Sequence, residues 1–111
     1  MKHVTYAGKS LLVGDTAADL MLEYAAALSA SGGADTLDLT CLDIDGRQVT
    51  ATFLLGSGAP LMTETSFTDL REPDNASAEH YLRRELTGLP TTSEMRLEDQ
   101  ADLRPDGGDW D

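Results

Sequence analysis

The strongest constraint in the chain is a period-two pattern on either side of Asp45-Gly46. Leu37, Leu39 and Cys41 alternate with Asp38, Thr40 and Leu42, and Val49, Ala51, Phe53 and Leu55 alternate with Gln48, Thr50, Thr52 and Leu54. Successive strand side chains point to opposite faces, so a one-residue slip in pairing moves a whole apolar set to the wrong side. The turn length follows from matching the faces. A two-residue turn would pair Leu42 with Val49 and Leu39 with Thr52, mixing the faces. A three-residue loop, Ile44-Asp45-Gly46, pairs Cys41 with Val49, Leu39 with Ala51 and Leu37 with Phe53, so every pair on that face is apolar. The sequence therefore predicts a hairpin with a type I turn, Gly46 in the left-handed position and a G1 bulge. Its other face, mainly Thr, Gln and Asp, is expected to be solvated.

The remaining elements follow from periodicity and punctuation. Ala17, Leu20, Met21, Tyr24 and Leu28 share one face of a helix over 16–31. Asp15 is its expected N-cap, Thr16 with Asp19 an alternative capping box, and Gly32-Gly33 its end. Val4–Tyr6 and Ser10–Val13 flank Ala7-Gly8 as a short hairpin. Gly56 to Pro60 is a turn into a strand over 61–67, whose faces the sequence leaves ambiguous. A second helix is expected over 75–87, with Asp74 as N-cap, Ala78, Tyr81, Leu82, Leu86 and Leu89 on its apolar face, and a Glu79–Arg83 pair. Gly88 and Pro90 stop it. The order β-β-α-β-β-β-α, with one apolar face on the central hairpin, predicts a two-layer α+β domain. Both helices should lie on one face of its antiparallel sheet; the strand order stays open.

Composition limits function more than it assigns it. The 111 residues carry 20 acidic and 8 basic side chains, a formal charge of −12. Residues 1–90 hold 13 acidic and 6 basic side chains; residues 91–111 hold 7 and 2 and few apolar ones. We read 1–90 as one folded domain and 91–111 as a mostly disordered acidic tail. One cysteine excludes an internal disulfide, and two histidines with one cysteine are too few for a structural zinc site. No apolar run reaches the ~18 residues of a membrane span, and no apolar core marks a signal peptide. The expected setting is the cytoplasm, and the share of Ala, Asp and Arg suggests a high-GC bacterium. An acidic surface repels phosphate backbones, so nucleic acid is not an expected ligand.

Three motif echoes dissolve on their spacing. Gly8-Lys9-Ser10 has His3 where a P-loop needs glycine, and strands on both sides. Gly56-Ser57-Gly58 has Leu61 where a dinucleotide fingerprint needs its third glycine. Asp43-Ile44-Asp45-Gly46 would put Cys41 and Thr52 at essential calcium-ligand positions. Cys41 reads as an inert buried thiol rather than a nucleophile. His3 and His80 read as surface or boundary histidines, with no third group to make a catalytic relay. Asn75-Ala76-Ser77 matches a glycosylation sequon but reads as a helix start.

What remains is charge. Asp38, Asp43, Asp45, Glu64 and Asp69 are expected on the wet side of the sheet, and Asp106 and Asp109 flank Trp110 in the tail. Tryptophan is enriched in binding hot spots. The expected partner-binding residues are therefore Asp38, Asp43, Asp45, Glu64, Asp106, Asp109 and Trp110. The expected function is a non-enzymatic acidic binding or regulatory module for a protein partner with a basic surface, without cofactor or metal. The alternative is a homo-oligomeric assembly protein such as a homodimer. A small ligand-binding domain or enzyme ranks third.

Overall fold

The computed structural model of the chain describes residues 1–56, 58 and 60–88. The readings made for Leu89, Pro90 and residues 91–111 lie outside these. Seven elements follow in the expected order: β1 (Lys2–Tyr6), β2 (Lys9–Val13), α1 (Asp15–Ser31), β3 (Ala34–Leu42), β4 (Gln48–Gly56), β5 (Leu61–Thr65) and α2 (Ala76–Thr87). The five strands form one antiparallel sheet in the order β4-β3-β2-β1-β5. The architecture is α+β.

The central hairpin takes the register that face-matching demands. Cys41 faces Val49, Leu39 faces Ala51 and Leu37 faces Phe53. The Gly46 N–H donates to the Asp43 carbonyl (2.9 Å), the Asp43 N–H donates to the Arg47 carbonyl (2.9 Å), and Gly46 sits at φ 79°. These are the marks of the type I turn with a G1 bulge. Ala7 and Gly8 both have positive φ, 53° and 82°, as a two-residue type I′ turn between β1 and β2 requires.

Strand β5 ends at Thr65, short of the expected Phe67, and pairs with β1 at the far edge rather than with β4. The Ser66 N–H donates to the Met1 carbonyl at 3.0 Å, which holds that end of β5 against the start of β1. The sheet also curls. Two strands separate β1 from β4 in its order, yet the Tyr6 hydroxyl donates to the Leu54 carbonyl at 2.6 Å. The Tyr6 and Phe53 rings meet edge-on, 5.9 Å between centroids.

The core lies between this curled sheet and the two helices. Ala17, Ala18, Met21, Tyr24 and Leu28 of α1 are buried with Val4, Leu11, Val13, Leu37, Leu39, Cys41, Phe53 and Leu55. From α2, Leu82 is buried and Ala78, Tyr81 and Leu86 pack against the cluster. The expected caps are displaced. The N-cap of α1 is Gly14; Asp15 stands inside the helix 3.3 Å from the Met1 ammonium, and Asp19 takes the Lys2 ammonium at 2.5 Å. Both carboxylates are thus engaged by ammonium groups rather than by first-turn backbone N–H groups. The N-cap of α2 is Asn75, while Asp74 accepts the Ala76 N–H at 2.9 Å from one residue further out. Glu79 and Arg83 form no ion pair; on the neighbouring position Arg84 lies over the Tyr81 ring, 5.8 Å from its centroid. No helix among the described residues is long and apolar enough to cross a membrane.

Gly56 closes the hairpin against Ala34 at φ 93°, and a Cβ there would stand 2.4 Å from the Gly33 carbonyl oxygen. Gly56→Ala should lower stability by about 1–3 kcal/mol in denaturant melts, since both the backbone and the neighbouring carbonyl resist it. A neutral result would show that the hairpin base opens freely.

Candidate functional site

Register sorts the side chains of the sheet's outer face into rows. Glu64, His3, Leu12, Leu42 and Gln48 stand in line across the five strands. Leu12 and Leu42 are buried although they point away from the helices. The outer face is therefore not uniformly wet, and the expectation of a solvated surface holds only toward β4. There Asp38 accepts the Thr52 hydroxyl at 2.7 Å, and Thr50 and Thr52 are exposed.

Leu12 and Leu42 floor a depression of about 210 Å³, with Ile44 and Leu70 on its walls and His3, Ser10 and Asp43 on its polar side. Ile44, at the hairpin tip, is 97% exposed, and Leu70 is 47% exposed. Leu70 belongs to residues 66–75, which run without regular structure from β5 to α2. Phe67, in the same segment, is 95% exposed.

Asp43 lines the depression, and the carboxylates near it differ in how committed they are. Asp43 Oδ1 accepts the N–H groups of Asp45 (2.9 Å) and Arg47 (3.0 Å), and its other oxygen meets the Arg47 guanidinium at 3.3 Å. These bonds, the Arg47 N–H first, hold its carboxyl below the usual carboxylate range. Asp43 thus shapes the turn that presents Ile44. Asp45 stands more open, 3.5 Å from the same guanidinium. Glu64 is exposed on β5 opposite His3. Asp38 does not line this depression; with Asp74 it lines a separate polar groove between β3 and the start of α2. Asp69 sits in the irregular segment, not on the sheet, and is exposed. Asp106, Asp109 and Trp110 lie outside the described residues.

Leu12, Leu42, Ile44 and Leu70 were not legible in the sequence as a unit. Part of the signal was there: Leu12 and Leu42 occupy positions whose same-face neighbours along their strands are polar. Nothing in the pattern showed that Leu70 reaches over them.

Other reactive groups are engaged. Burial pushes the Cys41 thiol up to about 11, leaving it protonated at neutral pH. His80 is exposed on α2. Asp35 accepts the hydroxyls of Tyr24 (2.6 Å) and Tyr81, whose rings stand perpendicular with centroids 6.4 Å apart. The three residues tie α1, β3 and α2 together. Burial, then the Asp35 contact, raises the Tyr24 hydroxyl far above its ordinary range, so it is no base. Among the described residues no group of three or more His, Cys, Asp or Glu side chains is disposed to hold a metal ion. Comparison with protein-family models, with curated proteins and with solved structures finds no match to this chain.

The Tyr24 hydroxyl, then Tyr81, draws the Asp35 carboxyl below its ordinary value. A group with a lowered folded-state pKa adds stability above its unfolded pKa, about 3.9 for Asp, and loses it as pH falls through the folded value. Asp35→Asn should therefore be less stable than wild type at pH 7. The gap should close as pH falls below about 4. A gap independent of pH, measured by thermal melts, would contradict the role of the charge.

Proposed function

We propose that this chain is a non-enzymatic binding module of the cytoplasm, and that it engages a protein partner through the depression beside Ile44. One observation carries the reading: an almost fully exposed isoleucine stands at the tip of an ordered turn, next to an apolar recess formed by Leu12, Leu42 and Leu70. Exposed apolar side chains grouped around an apolar recess form the kind of patch that marks a protein-interaction site. The recess is smaller than the ~300–1,000 Å³ of ordinary small-molecule sites, which favours an inserted side chain over a metabolite.

Charge indicates the kind of partner. Glu64 is exposed on this face and Asp45 is exposed next to Ile44 in the turn, in a chain whose formal charge is −12. Carboxylates around an apolar centre steer a basic surface into place and repel an acidic one. Nucleic acid is disfavoured by the same charge.

The test is selection from a random peptide display library, with Ile44→Asp protein selected in parallel. Enriched peptides should combine a large apolar residue with Lys or Arg. They should bind Ile44→Asp about tenfold or more weaker. Their affinity should fall as salt rises from about 0.1 to 1 M. Enrichment without basic residues, or equal binding to Ile44→Asp, would sink the proposal.

A further inference from the structure

Strand β4 is the outermost strand of the sheet, nine residues long. Its pairing with β3 fixes which backbone groups point outward. The Thr40 N–H and C=O point away from β4, toward the Asn75 side chain. In an antiparallel ladder these alternate, so the even-numbered residues of both strands turn their N–H and C=O groups away from each other. Gln48, Thr50, Thr52 and Leu54 therefore face outward. The Tyr6 hydroxyl covers the Leu54 carbonyl. Among the described residues no hydrogen bond reaches the outward backbone groups of Gln48, Thr50 or Thr52.

Edge strands are usually protected by charge, proline, a bulge or a covering element. Among the described residues none of these protects the edge from Gln48 to Thr52. Residues 48–63 carry no charged side chain, in a chain that is 25% charged. The opposite edge, β5, is shorter and carries Glu64. Two strongly acidic chains repel each other almost everywhere. Along β4 they can approach without bringing carboxylates face to face.

We propose that β4 pairs antiparallel with β4 of a second copy of this chain, extending the sheet across a two-fold axis. Centring the axis on Thr50 places Thr50 opposite Thr50 of the second copy and Gln48 opposite its Thr52. Every outward N–H and C=O from Gln48 to Thr52 then finds a backbone partner. The central threonines form a favoured cross-strand pair. The covered Leu54 carbonyl falls outside the paired stretch. This surface is separate from the Ile44 depression and goes beyond the binding-module reading.

Sedimentation across a wide concentration range, with amide hydrogen exchange at both ends of it, tests the proposal. The expected result is a dimer that grows with concentration and strengthens with salt, because screening relieves repulsion between the copies. The amides of Thr50 and Thr52 should gain protection only where the dimer forms. Those of Ala51 and Phe53, bonded to β3 throughout, serve as internal references. Thr50→Pro removes the central donor, and Thr50→Lys adds an edge charge. Each should abolish the dimer, and Thr50→Lys decides the matter if the proline variant fails to fold. A monomer at every concentration overturns the proposal. So does a dimer with unprotected Thr50 and Thr52 amides, or one that survives both substitutions.

Discussion

Asn75 replaces a missing strand. Strand β2 accompanies β3 only at Leu12 and Leu42, then turns at Gly14 into α1. Thr40, two residues further along β3, is left with an N–H and a C=O that no strand reaches. The Asn75 side chain takes both: Oδ1 accepts the N–H and Nδ2 donates to the C=O, each at 2.8 Å. An amide side chain has the donor and acceptor of a peptide group and can stand in for one rung of a ladder. Among the described residues, Asn75 is accordingly the buried polar side chain beside a core of apolar ones. The same bond fixes where α2 begins, and through it where Leu82 and Tyr81 meet α1.

That bridge also bears on the recess. Residues 66–75 are held at one end by Ser66 on the Met1 carbonyl and at the other by Asn75 on β3. Between these anchors runs the segment that carries Leu70 to the wall over Leu12 and Leu42. An irregular segment tied at both ends presents its side chains more reproducibly than one free to sample many conformations. The proposed partner surface thus depends on an interaction made at Thr40, two residues along β3 from Leu42, and its other wall depends on Asp43 holding the turn under Ile44.

The sequence was most informative where one local rule left one answer. The turn glycine, the period of two and the need for uniform faces favour the central register, because a three-residue loop pairs Leu37, Leu39 and Cys41 with apolar partners where a two-residue turn would not. Alanine and leucine spacing settles α1 in the same way. Pairing across the sheet was not legible. That β5 crosses to β1 depends on Tyr6, Leu61 and the Met1–Ser66 contact meeting in space, and no local pattern encodes it. Asp15 and Asp19 look like caps in sequence, and only the fold brings the Met1 and Lys2 ammonium groups to them. Asn75 looks like a helix start and is one, but its amide is spent on a strand far away in sequence. Of the residues expected to bind a partner, Asp43 lines the recess and Glu64 stands on the same sheet face opposite His3. Asp38 belongs to another groove.

The most direct test of this account is the exchange rate of the Thr40 amide in wild-type protein and in Asn75→Ala. The account predicts a Thr40 amide protected about as well as its neighbours Leu39 and Cys41, which bond to β4. In Asn75→Ala that protection should be lost at Thr40 first, with a fall in stability of about 1–3 kcal/mol from the orphaned backbone groups. A Thr40 amide that already exchanges freely in the wild type, or an Asn75→Ala variant with unchanged Thr40 protection and stability, would contradict it.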